Sequence, residues 1–575
     1  MINYFRKILL SLRDDSHTRL LFLILLLAFL VRVWGIWNIE QTDEFNEVFE
    51  ALKVDSGNLN YERWNKKVLI YVLAAEYALF FAIGWLVGTF QGVSDFISKI
   101  VIDMSPLFLI GRATSALFGT LIVFMTYLIG NRLFSREAAL VSSLFLCFNL
   151  VHVEHSHLVL VDITMTFMII CSFYFSVGIM KEGHRRDYFL AGMFAGLAIV
   201  AKIPAVFVLI ALALAHLMFS LSHRASLRVI LAGNNIAYVF AGLLAGAVIG
   251  NPAIIVGLPK YIQWLTLIFG AYHGTADQID YWTPVNGYLF YVKSFINTMG
   301  MPLFSMTVVG MIYYIFRPSR EIVLLLSFII PFYVLMANSK WVLTHRYMIP
   351  IYPFFSIIGG AFWGRIMELT CKYKKVIAGA SLLLLLIIPV KKVAQFSLTL
   401  LEQNTRYQAK DWIETNIPAG SKIVIDAGRT INTASPPLFN NRDNIIAMMQ
   451  KVESLDEGKT YDESRIVDAG SSIYFRYLSK NLPAITYDLT STELGRKARA
   501  IDYYRSHGYE YVITSSDITW VASNERWAKK YPEAASFYHS LDRELKLIKQ
   551  FDPGLTRSGP TIKIYKLNDL AGGNT

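Results

Sequence analysis

The stretch QTDEFNEVFEALK follows directly on the first long apolar run of the chain and carries four carboxylates, Asp43, Glu44, Glu47 and Glu50. At 100° per residue these acids fall on one side of a helix, opposite an apolar side. That apolar side consists of Phe45, Val48, Phe49 and Leu52. Helices at a membrane surface usually carry Lys and Arg, so these acids are candidates for a base that takes a proton from a hydroxyl. The alternative is a solvated polar face, which would explain Glu47 and Glu50.

Several cations stand near the predicted ends of apolar runs. They are Lys66, Lys67, Arg112, Lys202 and Arg346. Charged groups near lipid are costly to maintain, so they are functional candidates by default. Together with the acids they would suit a site that holds a lipid-linked phosphate and also needs a base. Snorkelling to the membrane surface is the alternative for Arg112 and Lys202, and it is the favoured interpretation of Arg32.

The segment VHVEHSHLVLVDITMTF adds His152, His155, His157 and Asp162. Three imidazoles close in sequence could share Zn²⁺, but no second cluster offers thiolates at the usual spacing, so a metal site is not expected. Asp162 could instead cap a helix at its N-terminus.

The composition is that of an integral membrane protein, with 54% hydrophobic and only 17% charged residues. A formal charge of +11 would suggest nucleic acid for a soluble chain, but here the basic residues cluster between apolar runs and indicate topology. Nucleic acid is therefore not an expected partner. The three cysteines are far apart, which excludes a disulfide framework and a CxxC metal site.

Apolar runs of spanning length predict a polytopic helical bundle with about eleven spans. They lie near 19–38, 107–131, 137–152, 162–180, 188–202, 203–221, 229–250, 290–316, 321–337, 347–364 and 376–391. Basic clusters then fall on every second loop, which predicts a cytoplasmic N-terminus in the cell membrane. The run 68–90 breaks this alternation, so it is interpreted as interfacial or re-entrant within a first external loop, 39–106.

The composition changes at about residue 392, where charged residues become frequent and short elements replace long apolar runs. Strands are predicted at 422–428, 509–516 and 561–567, and helices at 406–416 and 498–507. Alternating strands and helices indicate an α/β domain. The predicted organisation is a transmembrane domain, 1–391, followed by an extracytoplasmic α/β domain, 392–575.

Several segments resemble motifs of protein O-mannosyltransferases and their bacterial and archaeal relatives, in the C superfamily of glycosyltransferases. DEFNEVFEALK resembles the Asp-Glu motif of their first external loop, and GRATSALFG resembles their R-x-x-S-A-x-x-G segment. SHLVLVDITMTF resembles (R/H)-x-x-x-x-D, AGMFAGLAIVAK resembles A-G-x-x-x-G-L-A-x-x-x-K, and RYMIPIYP is similar to a further feature near the last spans. NKKVLIYVL resembles the Lys-Pro-Pro-Leu stretch of aminoarabinose transferases, with Lys67 and Val68 in place of the prolines. Most of these motifs follow the family's order from residue 41 to 203.

The resemblance implies an inverting transferase that moves a sugar from a polyprenyl-phosphate donor to an acceptor hydroxyl. The acceptor would be a protein Ser or Thr, or a cell-envelope glycan or lipid. Asp43 would be the general base, and Glu44 would orient the acceptor or bind sugar hydroxyls. The donor phosphate would be held by Lys66, Lys67 and Arg112, with His157, Lys202 and Arg346 as further candidates. His155 and Asp162 complete the predicted site, and no metal or cofactor is expected because fixed cations can neutralise a single phosphate.

Two other functions fit part of the pattern. Transfer to a lipid such as lipid A would use the same donor chemistry. A transporter or flippase would also have many spans, but it should show inverted repeats and broken helices near the midplane. The concentration of charge at one predicted membrane face favours the enzyme.

Overall fold

A computed structural model describes most of the chain. The described residues are 15–39, 44–55, 67–224, 233–273, 286–339, 343–368, 374–427, 434–457, 469–493 and 495–567. Helices dominate, and a five-stranded sheet lies in the C-terminal part. The predicted fold class, mainly helical with a C-terminal α/β part, is confirmed.

The helices up to residue 399 are connected mostly by short segments. They are α1 (Ser16–Val33), α2 (Glu44–Asp55), α3 (Lys67–Leu86), α4 (Val93–Ile102), α5 (Ser105–Leu133), α6 (Arg136–Cys147), α7 (Leu150–Ser156), α8 (Val161–Lys181), α9 (Arg185–Ala201), α10 (Val208–Ser222), α11 (Asn234–Gly250), α12 (Ile254–His273), α13 (Gly287–Met299), α14 (Met301–Phe316), α15 (Arg320–Asn338), α16 (Tyr352–Glu368) and α17 (Lys374–Thr399). Two 3₁₀ segments, Ile203–Phe207 and His345–Ile351, precede α10 and α16.

Seven of the described helices are long and apolar enough to cross a bilayer. These spans are Ser16–Val33, Val68–Leu86, Ser105–Leu133, Val161–Lys181, Ile203–Ser222, Arg320–Asn338 and Val376–Thr399. Helices α6 and α7, which meet at a bend of 64°, would together form an eighth. The chain is therefore a multipass membrane protein, while the count of eleven spans and the interfacial placement of 68–90 stay predictions.

The described chain forms two compact units. The first unit comprises Met1–Trp34, Asn58–Leu73 and Gly111–Phe396. The second unit comprises Gly35–Gly57, Ala74–Ile110 and Ser397–Thr575. The predicted division into 1–391 and 392–575 stays a prediction.

Glycines spaced by four residues bring α9 and α11 into backbone contact within the first unit. A Cβ built on Gly196 would lie 2.3 Å from the carbonyl oxygen of Leu243, and one on Gly246 would lie 2.0 Å from that of Met193. Small residues at this spacing let membrane helices approach closely, because only a hydrogen occupies the contact. A methyl group at either position would push the two helices apart. This packing fixes the end of α9, from which Lys202 follows.

The C-terminal part of the second unit is an α/β fold. Its elements are α18 (Thr405–Asn416), β1 (Lys422–Ile425), α19 (Arg442–Glu457), α20 (Ala469–Leu478), β2 (Asp488–Ser491), α21 (Ile501–Ser506), β3 (Tyr511–Ser515), α22 (Ser516–Thr519), α23 (Glu525–Lys530), α24 (Pro532–Glu544), β4 (Lys546–Phe551) and β5 (Ile562–Lys566). The strand order is β2-β1-β3-β5-β4, with β1 parallel to β2 and β3 and with β5 antiparallel to β3 and β4. The apolar strands β1, β3 and β5 form the buried centre of this mixed sheet.

A buried carboxylate lies at the carboxyl end of β1. Asp426 accepts hydrogen bonds from the Tyr538 hydroxyl at 2.5 Å, the Thr492 hydroxyl at 2.9 Å and the Ser515 backbone N–H at 3.1 Å. Burial raises the pKa of Asp426 to about 6, although these three donors act in the opposite direction. Desolvation therefore outweighs hydrogen bonding at this side chain.

This raised pKa makes the stability of the domain depend on pH. Between the ordinary value of 3.8 and about 6, the folded state binds more protons at Asp426 than the unfolded state does. The free energy of unfolding should therefore fall as pH rises through this window, by on the order of 3 kcal/mol, and stay level above it. Hydrogen exchange of the β3 amides, corrected for intrinsic rates, measures this slope. The Asp426→Asn variant should lose the slope, and a variant that kept it would assign the slope to another group.

Candidate active site

The acid-bearing helix is buried on both of its sides. Its acidic side includes Glu44, Glu47 and Glu50, which are 0, 1 and 4% exposed. On its apolar side Phe45 meets the ring of Phe108, with the ring centroids 4.8 Å apart. The alternative of a solvated polar face is therefore wrong, because carboxylates on such a face would contact water.

The burial of these carboxylates is partly offset by local charge. Glu44 and Glu47 stand in the first turn of α2, where the helix dipole stabilises negative charge. Glu50 Oε1 lies 3.3 Å from Lys53 Nζ within the same helix. Asp43 itself lies outside the described residues, immediately before the first residue of α2.

The predicted donor-binding cations Lys66, Lys67 and Arg112 are described only in part. Lys66 lies outside the described residues, and Lys67 begins α3 without a described side chain. Arg112 lies on α5 and is buried, with 6% exposed. Its charge and that of Arg32 both reach the ring of His157.

Three elements of the first unit bring together three predicted site residues. Asp162 stands in the first turn of α8, Lys202 follows the last residue of α9, and Arg346 belongs to the 3₁₀ segment His345–Ile351. Asp162 Oδ1 lies 2.7 Å from Lys202 Nζ, and it also interacts electrostatically with Arg346 and His155. We call Asp162, Lys202 and Arg346, with Tyr347, the Lys202 cluster.

Tyr347 provides a π face for both cations of the Lys202 cluster. Lys202 Nζ lies 4.4 Å from the centroid of this ring, and Arg346 Cζ lies 5.8 Å from it. Helix α9 ends at Ala201, and Lys202 has an extended backbone between α9 and the 3₁₀ segment Ile203–Phe207. The N-cap of α8 is Leu160, so the alternative of Asp162 as a helix cap is wrong.

The cluster can bind an anion. It combines two cations with one carboxylate, and the Asp162 side chain is only 3% exposed. An ammonium group has three donors, and the described contacts of Lys202 Nζ are one carboxylate oxygen and one aromatic face. A phosphate oxygen could therefore accept a hydrogen bond from this nitrogen while Asp162 holds it in place.

The histidines of the segment face different partners. His155 Nδ1 lies 2.9 Å from the Val151 carbonyl oxygen. His157 has carbonyl oxygens near both ring nitrogens, with Nδ1 2.8 Å from Val153 and Nε2 3.0 Å from Trp34. Burial lowers the pKa of His157 to about 4, so its ring is neutral at pH 7 and donates to one of these oxygens. Among the described residues, the histidines do not form a group whose ligand atoms lie close enough for one metal ion.

Arg32 has a structural role that the sequence did not predict. It is 0% exposed, so the predicted snorkelling is wrong. Its guanidinium donates to the carbonyl oxygens of Ala28, Leu146 and Cys147 and lies 3.0 Å from His152 Nδ1. Leu146 and Cys147 end α6, where carbonyls lack helical partners. Arg32 thereby stabilises the bend between α6 and α7. Its position inside an apolar run was the available signal.

Comparison with known protein families gives a match over part of the chain. Residues 22–268 match the model of a family described as dolichyl-phosphate-mannose-protein mannosyltransferase. The predicted motifs between residues 41 and 203 lie inside this match. No curated protein matches the chain.

Solved structures resemble the fold at low sequence identity. The oligosaccharyltransferase of Archaeoglobus fulgidus in its apo form is 13% identical, with a TM-score of 0.50 over 91% of this chain and 73% of that chain. ArnT of Cupriavidus metallidurans bound to undecaprenyl phosphate is 12% identical, with a TM-score of 0.49 over 96% of this chain and 98% of that chain. The Pmt1–Pmt2 complex of S. cerevisiae bound to its sugar donor is 16% identical, with a TM-score of 0.32 over 50% of this chain and 38% of that chain.

Proposed function

We propose that the chain is a membrane glycosyltransferase with a lipid-linked donor, since residues 22–268 match the model of the dolichyl-phosphate-mannose-protein mannosyltransferase family and the described helices include membrane spans. The reaction transfers a hexose or pentose, with inversion, from a polyprenyl phosphate to an acceptor hydroxyl. It takes place on the extracytoplasmic face of the membrane, where the C-terminal domain also lies. The acceptor is a protein Ser or Thr, or a glycan or lipid of the cell envelope.

The Lys202 cluster carries this proposal. The leaving group of the reaction is a phosphate that gains negative charge as its bond to the sugar breaks. Fixed cations that stabilise developing charge act without reorganisation, and they act most strongly where water is excluded. Lys202 and Arg346 supply such cations, and the 2.7 Å ion pair with Asp162 limits the movement of Lys202.

The remaining roles follow from the chemistry of displacement. The acceptor oxygen forms a bond to the anomeric carbon, and the bond from that carbon to the phosphate oxygen breaks with its electron pair going to phosphate. The hydroxyl proton passes to the carboxylate of Asp43, while Glu44 orients the acceptor. Lys66, Lys67, Arg112 and His157 are further candidates for contacts to the donor.

Preference for a phosphate over an alcohol tests the donor class. Purified protein in lipid nanodiscs should bind undecaprenyl or dolichyl phosphate more tightly than the corresponding polyprenol. The expected difference is at least about 2 kcal/mol, since hydrogen bonds to charged groups contribute about 1.5–3 kcal/mol each. Competition against a labelled polyprenyl phosphate measures it. Equal affinity for the alcohol and the phosphate would contradict a polyprenyl-phosphate donor.

A further inference from the structure

An apolar cavity of about 310 Å³ lies entirely within the second unit. Its lining residues are Phe49, Leu52, Lys53, Tyr77, Ala78, Phe81, Val93, Phe96, Ile97, Ile100, Val101, Met104, Tyr474 and Tyr477. They come from α2, α3, α4, the residue Met104 and α20. We infer that this cavity binds one fatty acyl chain of a membrane lipid, a ligand distinct from the sugar donor.

The walls of the cavity are held in place by aromatic packing. The ring of Phe96 lies 4.9 Å from that of Phe90 and 5.3 Å from that of Phe81. On the other wall, Phe49 meets Tyr474 edge to face at 5.3 Å. The Tyr77 hydroxyl donates to the backbone carbonyl of Leu107, so the ring of Tyr77 presents only carbon to the cavity. The cavity is therefore preformed, and its volume is at the lower end of the range for ligand pockets.

Helix α3, which supplies Tyr77, Ala78 and Phe81 to the cavity, also carries exposed apolar residues that do not line it. Leu79, Ile83, Leu86 and Val87 recur on one side of the chain and are 60, 52, 76 and 71% exposed. Such a continuous apolar stripe requires hydrocarbon around it. Trp85 is also exposed near the end of α3, a position typical of tryptophan at membrane interfaces. The nearest abundant ligand is therefore the chain of a bilayer lipid.

The polar groups of the lining argue against the phosphate end of a prenyl donor. The one charged side chain among the lining residues is Lys53, and the carboxylate of Glu50 lies 3.3 Å from its nitrogen. A buried phosphate would require a net positive charge around it, that is, more cations than carboxylates. An acyl chain carries its charge on a distant headgroup, so it can enter an apolar cavity while the headgroup stays in water.

Photolabelling of the full-length protein in nanodiscs tests this assignment. The probe is a phosphatidylglycerol with a diazirine within one acyl chain, and the labelled residues are mapped by mass spectrometry. We expect label on Phe81, Tyr474 or Tyr477. Ala78→Trp and Ile97→Trp fill the cavity from different helices and should abolish this labelling. Leu79→Trp is the matched control, because it adds the same ring to the exposed face of α3 and should leave the labelling intact.

The outcomes separate acyl from prenyl chains. An undecaprenyl phosphate with a diazirine in its prenyl chain should not label these residues above the acyl probe, and preferential prenyl labelling would overturn the assignment. Size-exclusion chromatography shows whether the two cavity-filling variants are folded. If both are folded and are still labelled, the acyl chain does not bind in this cavity. The inference does not rest on the proposed function, since labelling reports occupancy even in a protein that transfers no sugar.

Discussion

Replacing Asp43 with asparagine should lower the rate of sugar transfer by about 10²–10⁴ and leave donor binding unchanged. The amide keeps the size of the carboxylate, but it cannot accept the proton of an attacking hydroxyl. Because the acceptor oxygen must lose this proton as it attacks, the loss should appear in kcat. Single-turnover transfer of labelled sugar, together with a donor-binding isotherm, measures both quantities.

Asp95→Asn is the control for this change. Asp95 belongs to the same predicted external loop and pairs with Lys99 at 3.0 Å on the outside of α4, so its loss should hardly alter transfer. Equal rates of transfer by Asp43→Asn and wild type would show that Asp43 is not the general base. Loss of donor binding in Asp43→Asn would instead indicate a role in holding the donor.

The second large effect is expected at the ion pair between Asp162 and Lys202. Lys202→Met should lower transfer by about 10²–10³, since one cation that stabilises the leaving phosphate is removed. Asp162→Asn should cause a smaller loss because Lys202 keeps its charge and loses only its anchor. We classify Asp162 as a positioning residue, so the double variant should be no worse than Lys202→Met.

A double-mutant cycle in kcat and KM, with thermal unfolding of each variant, measures this coupling. Glu182→Gln is the matched control, because Glu182 forms an ion pair of the same 2.7 Å length with Arg132 just beyond the C-terminal end of α8. That variant should transfer sugar like wild type. Strictly additive losses for Asp162→Asn and Lys202→Met would contradict the positioning role.

Local pattern was sufficient for several elements of this fold. The acidic helix predicted within QTDEFNEVFEALK appears as Glu44–Asp55, because its two-sided pattern persists over three turns. The β-branched sequence KIVI predicted β1, which is buried between two parallel neighbours. Gly508, with a φ of 75°, follows the predicted helix that ends near it.

The edge strands β2 and β4 were not predicted from the sequence, because their stability comes from pairing with neighbouring strands. β2 has the sequence DLTS and β4 has the sequence KLIKQF, and neither is buried along a full face. Polar and charged residues are common on edge strands, where they prevent aggregation, so propensity alone does not reveal them. β2 exists because it pairs with β1, and β4 because it pairs with β5.

Contacts between side chains of the candidate site could not be predicted from local sequence either. Asp162 and Lys202 were both named from sequence, but their pairing across forty positions depends on how α8 and α9 pack. Snorkelling was the favoured interpretation of Arg32 in its apolar run, and only the distant carbonyls of Leu146 and Cys147 show that the side chain is buried instead. The motif AGMFAGLAIVAK was recognisable by resemblance, whereas its physical reason is the contact of Gly196 with α11.

The central claim is inverting transfer from a polyprenyl-phosphate sugar, and one measurement addresses it directly. Purified protein in nanodiscs is given a panel of polyprenyl-phosphate sugars labelled with ¹³C at the anomeric carbon, together with peptide, glycan and lipid acceptors. We predict that a β-linked donor yields an α-linked product, with one polyprenyl phosphate released for each sugar transferred. Retention of configuration, or transfer from a nucleotide sugar but from no polyprenyl-phosphate sugar, would contradict the account.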